Sequence, residues 1–199
     1  MKRIVMHWTA GGHKANGTDK RHYHDITEED GTVVFGNYPI QANQDTSTPY
    51  AAHTRGLNTD SIGMAMAGMR QAKERPFNPG PSPLSERQVD AFCTQVAKRA
   101  LEYNIPVTRE TVLTHAEVQP TLGVWQRNKW DITWLPGMAA PGDPIQVGDE
   151  LRRRIQAKVN SLGVPRRVES DRPIRPSEFN PVAALVAAIK ALLKGRKSK

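Results

Sequence analysis

Ile4, Val5 and Met6 form a short apolar run between a basic start and His7, with Gly11-Gly12 close behind, so Lys2–His7 reads as a short buried strand that ends at His7. Tyr23–Thr27 and Thr32–Phe35 flank Glu28-Glu29-Asp30-Gly31. Asp-Gly supplies the positive φ that tight turns need, so the two runs predict a hairpin whose first strand opens at Tyr23. Ser61–Gly68 (SIGMAMAG) is a run of small and apolar residues suited to a central strand with close neighbours. Thr111–His115 reads as a further strand, again ending in histidine.

The helical periods are as clear. Ser85 is an N-cap three residues before Gln88, and Val89, Phe92, Val96, Ala100 and Tyr103 share one face before Pro106. Leu151, Ile155, Val159 and Leu162 predict a helix over Asp149–Leu162 with Gly163 as its stop and Arg152-Arg153-Arg154 on its wet side. Between the strands and this helix, Arg75–Pro83 holds prolines at 76, 79, 81 and 83 and predicts a surface loop. Beyond it, prolines at 165, 173, 176 and 181 mark residues 165–180 as a tether. Asn180, Pro181 and Gly195 then bracket an amphipathic helix within residues 181–199, carrying Val182, Leu185, Val186, Ile189, Leu192 and Leu193 as one stripe. At about 1.5 Å per residue this helix reaches roughly 21 Å, short of a hydrocarbon core of about 30 Å, so it is expected to lie on a membrane or to pack on protein.

Composition changes the picture in two places. The chain of 199 residues has a single cysteine, so its fold rests on packing or on metal held by other side chains. Cys93 falls on the apolar part of a predicted helix and reads as a small buried hydrophobe. The net charge of +8 is uneven: residues 1–164 carry 19 Lys/Arg against 17 Asp/Glu, and residues 165–199 carry 9 against 3. The excess therefore belongs to the tail, which suits an anionic membrane or envelope surface; no motif for specific nucleic-acid binding accompanies it. Three apolar residues after the basic start fall short of a secretory core of about 7–15, so the chain is expected to be cytoplasmic at synthesis with no signal peptide.

His7 and His115 end two predicted strands, which puts two imidazoles at one sheet edge, where they could converge on a metal. Asp131, in a tryptophan-rich loop with Lys129, could add an oxygen ligand and leave zinc one open position for water.

Five segments, in order, resemble the zinc-dependent N-acetylmuramoyl-L-alanine amidases, a family that includes phage endolysins and peptidoglycan recognition proteins. They are His7 in IVMHWTAGG, Tyr23-His24 with Asp30-Gly31-Thr32-Val33, NTDSIGMAMAG from Asn58, His115 in VLTHAEV, and Lys129-Trp130-Asp131. The resemblance spans about residues 1–137 and implies an α/β fold, a mixed β-sheet with flanking helices and a zinc-bearing groove, with residues 1–164 as the amidase domain. It implies Zn2+ held by His7, His115 and Asp131, the last in a position some relatives fill with cysteine; His53 and Glu117 stand next as alternative third ligands. It gives Tyr23 and Lys129 the catalytic positions and His53 a substrate contact, with Asn58 in the same groove.

The implied reaction is hydrolysis of the amide joining N-acetylmuramic acid to L-alanine in peptidoglycan, as in endolysins acting on the cell wall after release. The alternatives are a non-catalytic muropeptide-binding module and a cytoplasmic recycling amidase. Recycling amidases carry a glutamate where Ala65 stands, which leaves Tyr23 as the remaining base or orienting group. Trp125 and Trp130 divide evenly between stacking on sugar rings and filling a core wall. His24 follows Tyr23 and is expected on the opposite face, in a structural role.

Overall fold

The computed structural model describes residues 1–163; the tether 165–180 and the amphipathic stretch 181–199 lie outside the described residues. Five strands form one mixed sheet: β1 (Arg3–Trp8), β2 (Asp25–Thr27), β3 (Val33–Phe35), β4 (Ser61–Met66) and β5 (Val112–Thr114), in the order β3-β2-β4-β1-β5. β2 and β3 pair antiparallel as the expected hairpin, and every other pairing is parallel. SIGMAMAG supplies the central strand β4, whose six residues are all buried.

Alternation along β1 divides the two faces. Ile4, Met6 and Trp8 enter the main core with Ile62, Met64 and Met66, while Val5 joins Leu57, Leu113 and Val118 on the other side. Helices α2 (Glu86–Glu102) and α4 (Pro144–Gly163) cover the first face through Val89, Phe92, Cys93, Val96, Leu151 and Ile155. Ser85 caps α2 as expected, its Oγ accepting from Gln88 N. Cys93 is fully buried and its thiol is pushed up to about 12 by burial, consistent with a packed hydrophobe.

Two short helices escape the periodicity. α1 (Gly17–His22) is too short to show an apolar stripe, although its capping box, Asn16 with Asp19, stands in the sequence. It displaces the start of β2 to Asp25, so Tyr23 caps a helix and does not open a strand. α3 (His115–Leu122) contains Pro120, which argues against a helix on propensity; Glu117 offsets this by holding the helix start. β5 accordingly ends at Thr114, and His115 is the first residue of α3.

The arginine run needs a second correction. Arg153 and Arg154 pair with Glu150 at the surface, but Arg152 is buried, because α4 turns about 100° per residue and three consecutive side chains cannot share one face. α4 also begins earlier than Asp149, at Pro144, where Val147 enters the core.

Candidate active site

The site lies on the Val5 face of the sheet, away from α2 and α4. His7, one residue before the end of β1, is fully buried there. Parallel pairing of β1 with β5 brings in His115, and the two rings stand 4.7 Å apart. Asp131 returns to this point because Ala116 N donates to Asp131 O at 2.7 Å. The helix α3 thus absorbs half of the chain between His115 and Asp131. Both His7 Nδ1 and His115 Nδ1 approach the same oxygen, Asp131 Oδ2, at 3.1 and 3.2 Å.

The donor set fits a cation. His115 Nε2 lies 2.9 Å from Gln126 Oε1, while Gln126 Nε2 donates to Arg55 O at 2.9 Å, which fixes the amide with its oxygen toward the histidine. His115 Nε2–H is therefore the donor, and a neutral His115 aims a bare Nδ1 lone pair at a carboxylate oxygen. Two acceptors at 3.2 Å repel unless a positive charge sits between them. His7, His115 and Asp131 form the one His/Cys/Asp/Glu group of this kind among the described residues, with ligand atoms within 4.8 Å of one another. Two imidazoles and a carboxylate suit zinc and leave a position for water or substrate.

Electrostatics point the same way. Burial lowers His7 to about 4, against the pull of Asp131, so its imidazole is neutral at neutral pH and competent as a ligand.

Tyr23 stands beside this group, its ring centroid 5.1 Å from that of His7. Burial, then the charges of Asp131 and Asp19, raises its phenol above the ordinary value and keeps it protonated. Lys129 is exposed two residues before Asp131. Ala65 lies in register with His7 on β1, so the position that carries glutamate in recycling amidases faces this site with a methyl group.

Several assigned residues have inward partners. His53 is 8% exposed, with Nδ1 at 3.4 Å from His7 Nε2 and 2.8 Å from Thr54 Oγ1. Asn58 Oδ1 accepts from His53 N at 3.0 Å and Thr54 N at 2.8 Å, so Asn58 shapes the loop that presents both residues. Glu117, an alternative ligand by sequence, has both oxygens engaged by Arg152 and one by Thr114 N. His24 is structural, as expected: its Nδ1 accepts from Gly63 N and its Nε2 bonds Asn43 Oδ1.

The tryptophans separate cleanly. Trp8 and Trp134 are core residues, and Trp130 is half-buried with its edge against Trp8 at 4.7 Å. Trp125 is 56% exposed, with the Arg55 guanidinium 5.4 Å from its ring centroid. Thr54 and Gln126, both in contact with the ligand histidines, carry no sequence signal of their own: they are loop residues of ordinary type with no period or spacing to mark them.

The fold is similar to that of several solved structures. N-acetylmuramoyl-L-alanine amidase LysC from Clostridium intestinale URNW is 18% identical over 80% of this chain and 85% of its own, with a TM-score of 0.45. The endolysin of Thermus scotoductus bacteriophage Ph2119 is 20% identical over 62% of this chain and 78% of its own, with a TM-score of 0.41. The amidase AmiD from E. coli, solved with anhydro-N-acetylmuramic acid-L-Ala-D-gamma-Glu-L-Lys, is 18% identical over 80% of this chain and 77% of its own, at 0.43. No curated protein sequence matches significantly. The family model for N-acetylmuramoyl-L-alanine amidase matches residues 1–138, the stretch that holds β1 to β5 and every residue of the site, and the chain belongs to that family of peptidoglycan amidases.

Proposed function

We propose that this amidase is zinc-dependent and cleaves the bond between the lactyl carbonyl of N-acetylmuramic acid and L-alanine, with His7, His115 and Asp131 as the protein ligands. The observation that carries this is the convergence of two buried imidazole Nδ1 atoms on Asp131 Oδ2 at 3.1 and 3.2 Å, with Gln126 Oε1 taking the hydrogen of His115 Nε2 on the far side of the ring. Bound there, zinc would supply a Lewis acid for the carbonyl and a water with its pKa lowered toward about 7.

The chain's own residues would do the rest. Tyr23 keeps its proton and lies against His7, so its O–H is available to the developing oxyanion or to the leaving amine. Lys129, exposed beside Asp131 in sequence, would offer a second cationic donor to the same oxygen. Exposed Trp125, with Arg55 over its ring, would give a face for a saccharide. Half-buried Trp130 would contribute an edge, and His53 and Asn58 would act from behind by shaping the loop. The residues 181–199, cationic and apolar by turns, would hold the enzyme at an anionic envelope, in keeping with an endolysin that meets the wall after release.

The test is metal analysis joined to hydrolysis of purified peptidoglycan. One zinc per chain is expected, with new L-alanine amino termini released; chelation should abolish release and zinc should restore it. Asp131→Ala should lose the metal, whereas Asp131→Cys, which replaces one anionic ligand by another, should keep it. Full activity in the presence of chelator, with no metal bound, would overturn the reading.

A further inference from the structure

His7 Nε2 and His53 Nδ1 face each other at 3.4 Å. Two bare lone pairs there would repel and two hydrogens would collide, so for neutral rings one of the two nitrogens carries a hydrogen. Thr54 Oγ1 touches both, at 3.3 Å from His7 Nε2 and 2.8 Å from His53 Nδ1, and a hydroxyl can accept from one while donating to the other. The far side of His53 breaks the tie. Its Nε2 lies 3.4 Å from Ser61 O, and a carbonyl can only accept, so that nitrogen carries the hydrogen and His53 Nδ1 is bare.

We propose that Thr54 and His53 are positioning residues that set the tautomer of His7. The chain runs from His7 Nε2–H to Thr54 Oγ1, from Thr54 O–H to His53 Nδ1, and from His53 Nε2–H to Ser61 O; it leaves the His7 Nδ1 lone pair turned toward Asp131. His115 receives the same instruction from Gln126 Oε1, so each histidine ligand has its outer nitrogen committed as a donor. The fold reserves the place for this arrangement. A Cβ on Gly63 would stand 2.3 Å from His53 Cγ, so only glycine at this strand position admits the ring. Asn58 Oδ1, by holding both His53 N and Thr54 N, fixes the two relay side chains relative to each other. The inference rests on the zinc reading, because a bare His7 Nδ1 at 3.1 Å from Asp131 Oδ2 needs a cation between the two atoms.

The experiment therefore has two readouts. In the zinc-loaded protein with ¹⁵N-labelled histidines, long-range ¹H–¹⁵N correlation, assigned with His7→Gln, should show His7 protonated at Nε2 and carrying no hydrogen at Nδ1. Zinc affinity by chelator competition should fall about 10- to 100-fold in Thr54→Val, which keeps the shape and loses the hydroxyl, and recover in Thr54→Ser. A hydrogen on His7 Nδ1 in the wild type, or equal affinities for the valine and serine variants, would overturn the relay while leaving the zinc reading intact. A wild type that binds no zinc would overturn the zinc reading and the relay with it. Should the valine variant fail to fold, the wild-type spectrum decides alone.

Discussion

Arg152 closes on Glu117 through both oxygens, at 2.7 Å to Oε1 and 3.1 Å to Oε2, and spends a further bond of 2.9 Å on Val112 O. Glu117 Oε2 in turn accepts from Thr114 N at 2.7 Å. An arginine from α4 and a glutamate from α3 thus grip the junction between β5 and α3 one residue before His115. Gly148 makes room for this, since a Cβ there would stand 2.1 Å from Glu117 Oε2.

Removal of one partner strands the other charge in the interior. Arg152→Met should destabilise the protein by about 3–5 kcal/mol, and adding Glu117→Gln should recover much of the loss, because the buried carboxylate goes with it. Urea unfolding of the two variants checks this. Equal stability of Arg152→Met and wild type would mean that the pair is solvated in solution.

Tyr23→Phe and Lys129→Ala should keep full zinc occupancy and lose about 100- to 1,000-fold in kcat, since neither is placed as a ligand and each would offer a donor to the reacting carbonyl. Metal content and peptidoglycan hydrolysis, measured on the same samples, separate these roles from a ligand role. Unchanged kcat in both would refute the assignment.

The exposed and buried tryptophans should behave in opposite ways. Trp134 is 6% exposed and its Nε1–H donates to Met138 O at 2.8 Å, so Trp134→Ala should cost about 3–5 kcal/mol in unfolding free energy. Trp125→Ala should leave Tm nearly unchanged and raise KM for polymeric peptidoglycan. A Tm drop for Trp125→Ala as large as that for Trp134→Ala would make it a packing residue.

The buried histidines predict an acid-labile metal-free protein. Burial lowers His7 to about 4 and also lowers His24 and His53. Unfolded imidazoles take up protons as pH falls through about 6.5, while these remain neutral in the folded state, so the unfolded chain binds more protons. Stability is then fully present above about pH 6.5 and is lost as pH falls toward about 4. Urea unfolding of metal-free protein at about pH 7.5 and about pH 5 should show the decline; a flat profile would contradict it.

A chain ending at Gly163 should keep its zinc and its activity on purified peptidoglycan, because every proposed catalytic residue and ligand precedes that point. It should lose binding to anionic vesicles. The full chain should bind them with about 1 kcal/mol per basic residue near the surface, an attraction that weakens with salt. Equal vesicle binding by both chains would dispose of the membrane role for residues 181–199.

Local physics wrote much of this protein into its sequence. Strands β1 and β4, the β2–β3 hairpin, the capped helix α2 and the body of α4 follow from apolar periods and turn residues, which act over a few positions. The two histidines and Asp131 were legible as types that bind metal, and five short motifs in order carried the family. What no local pattern holds is who meets whom. His7 and His115 are neighbours because β1 and β5 pair parallel, and Asp131 reaches them because Ala116 N captures its carbonyl. Thr54, His53 and Gln126 take their roles from nitrogens contributed by distant segments, and Arg152 is buried beside exposed Arg153 and half-buried Arg154 because of where Glu117 stands. Periodicity fixes the face a residue presents, but hydrogen bonds and ion pairs in a low-dielectric interior are settled only when the chain closes and each buried polar atom must find its partner.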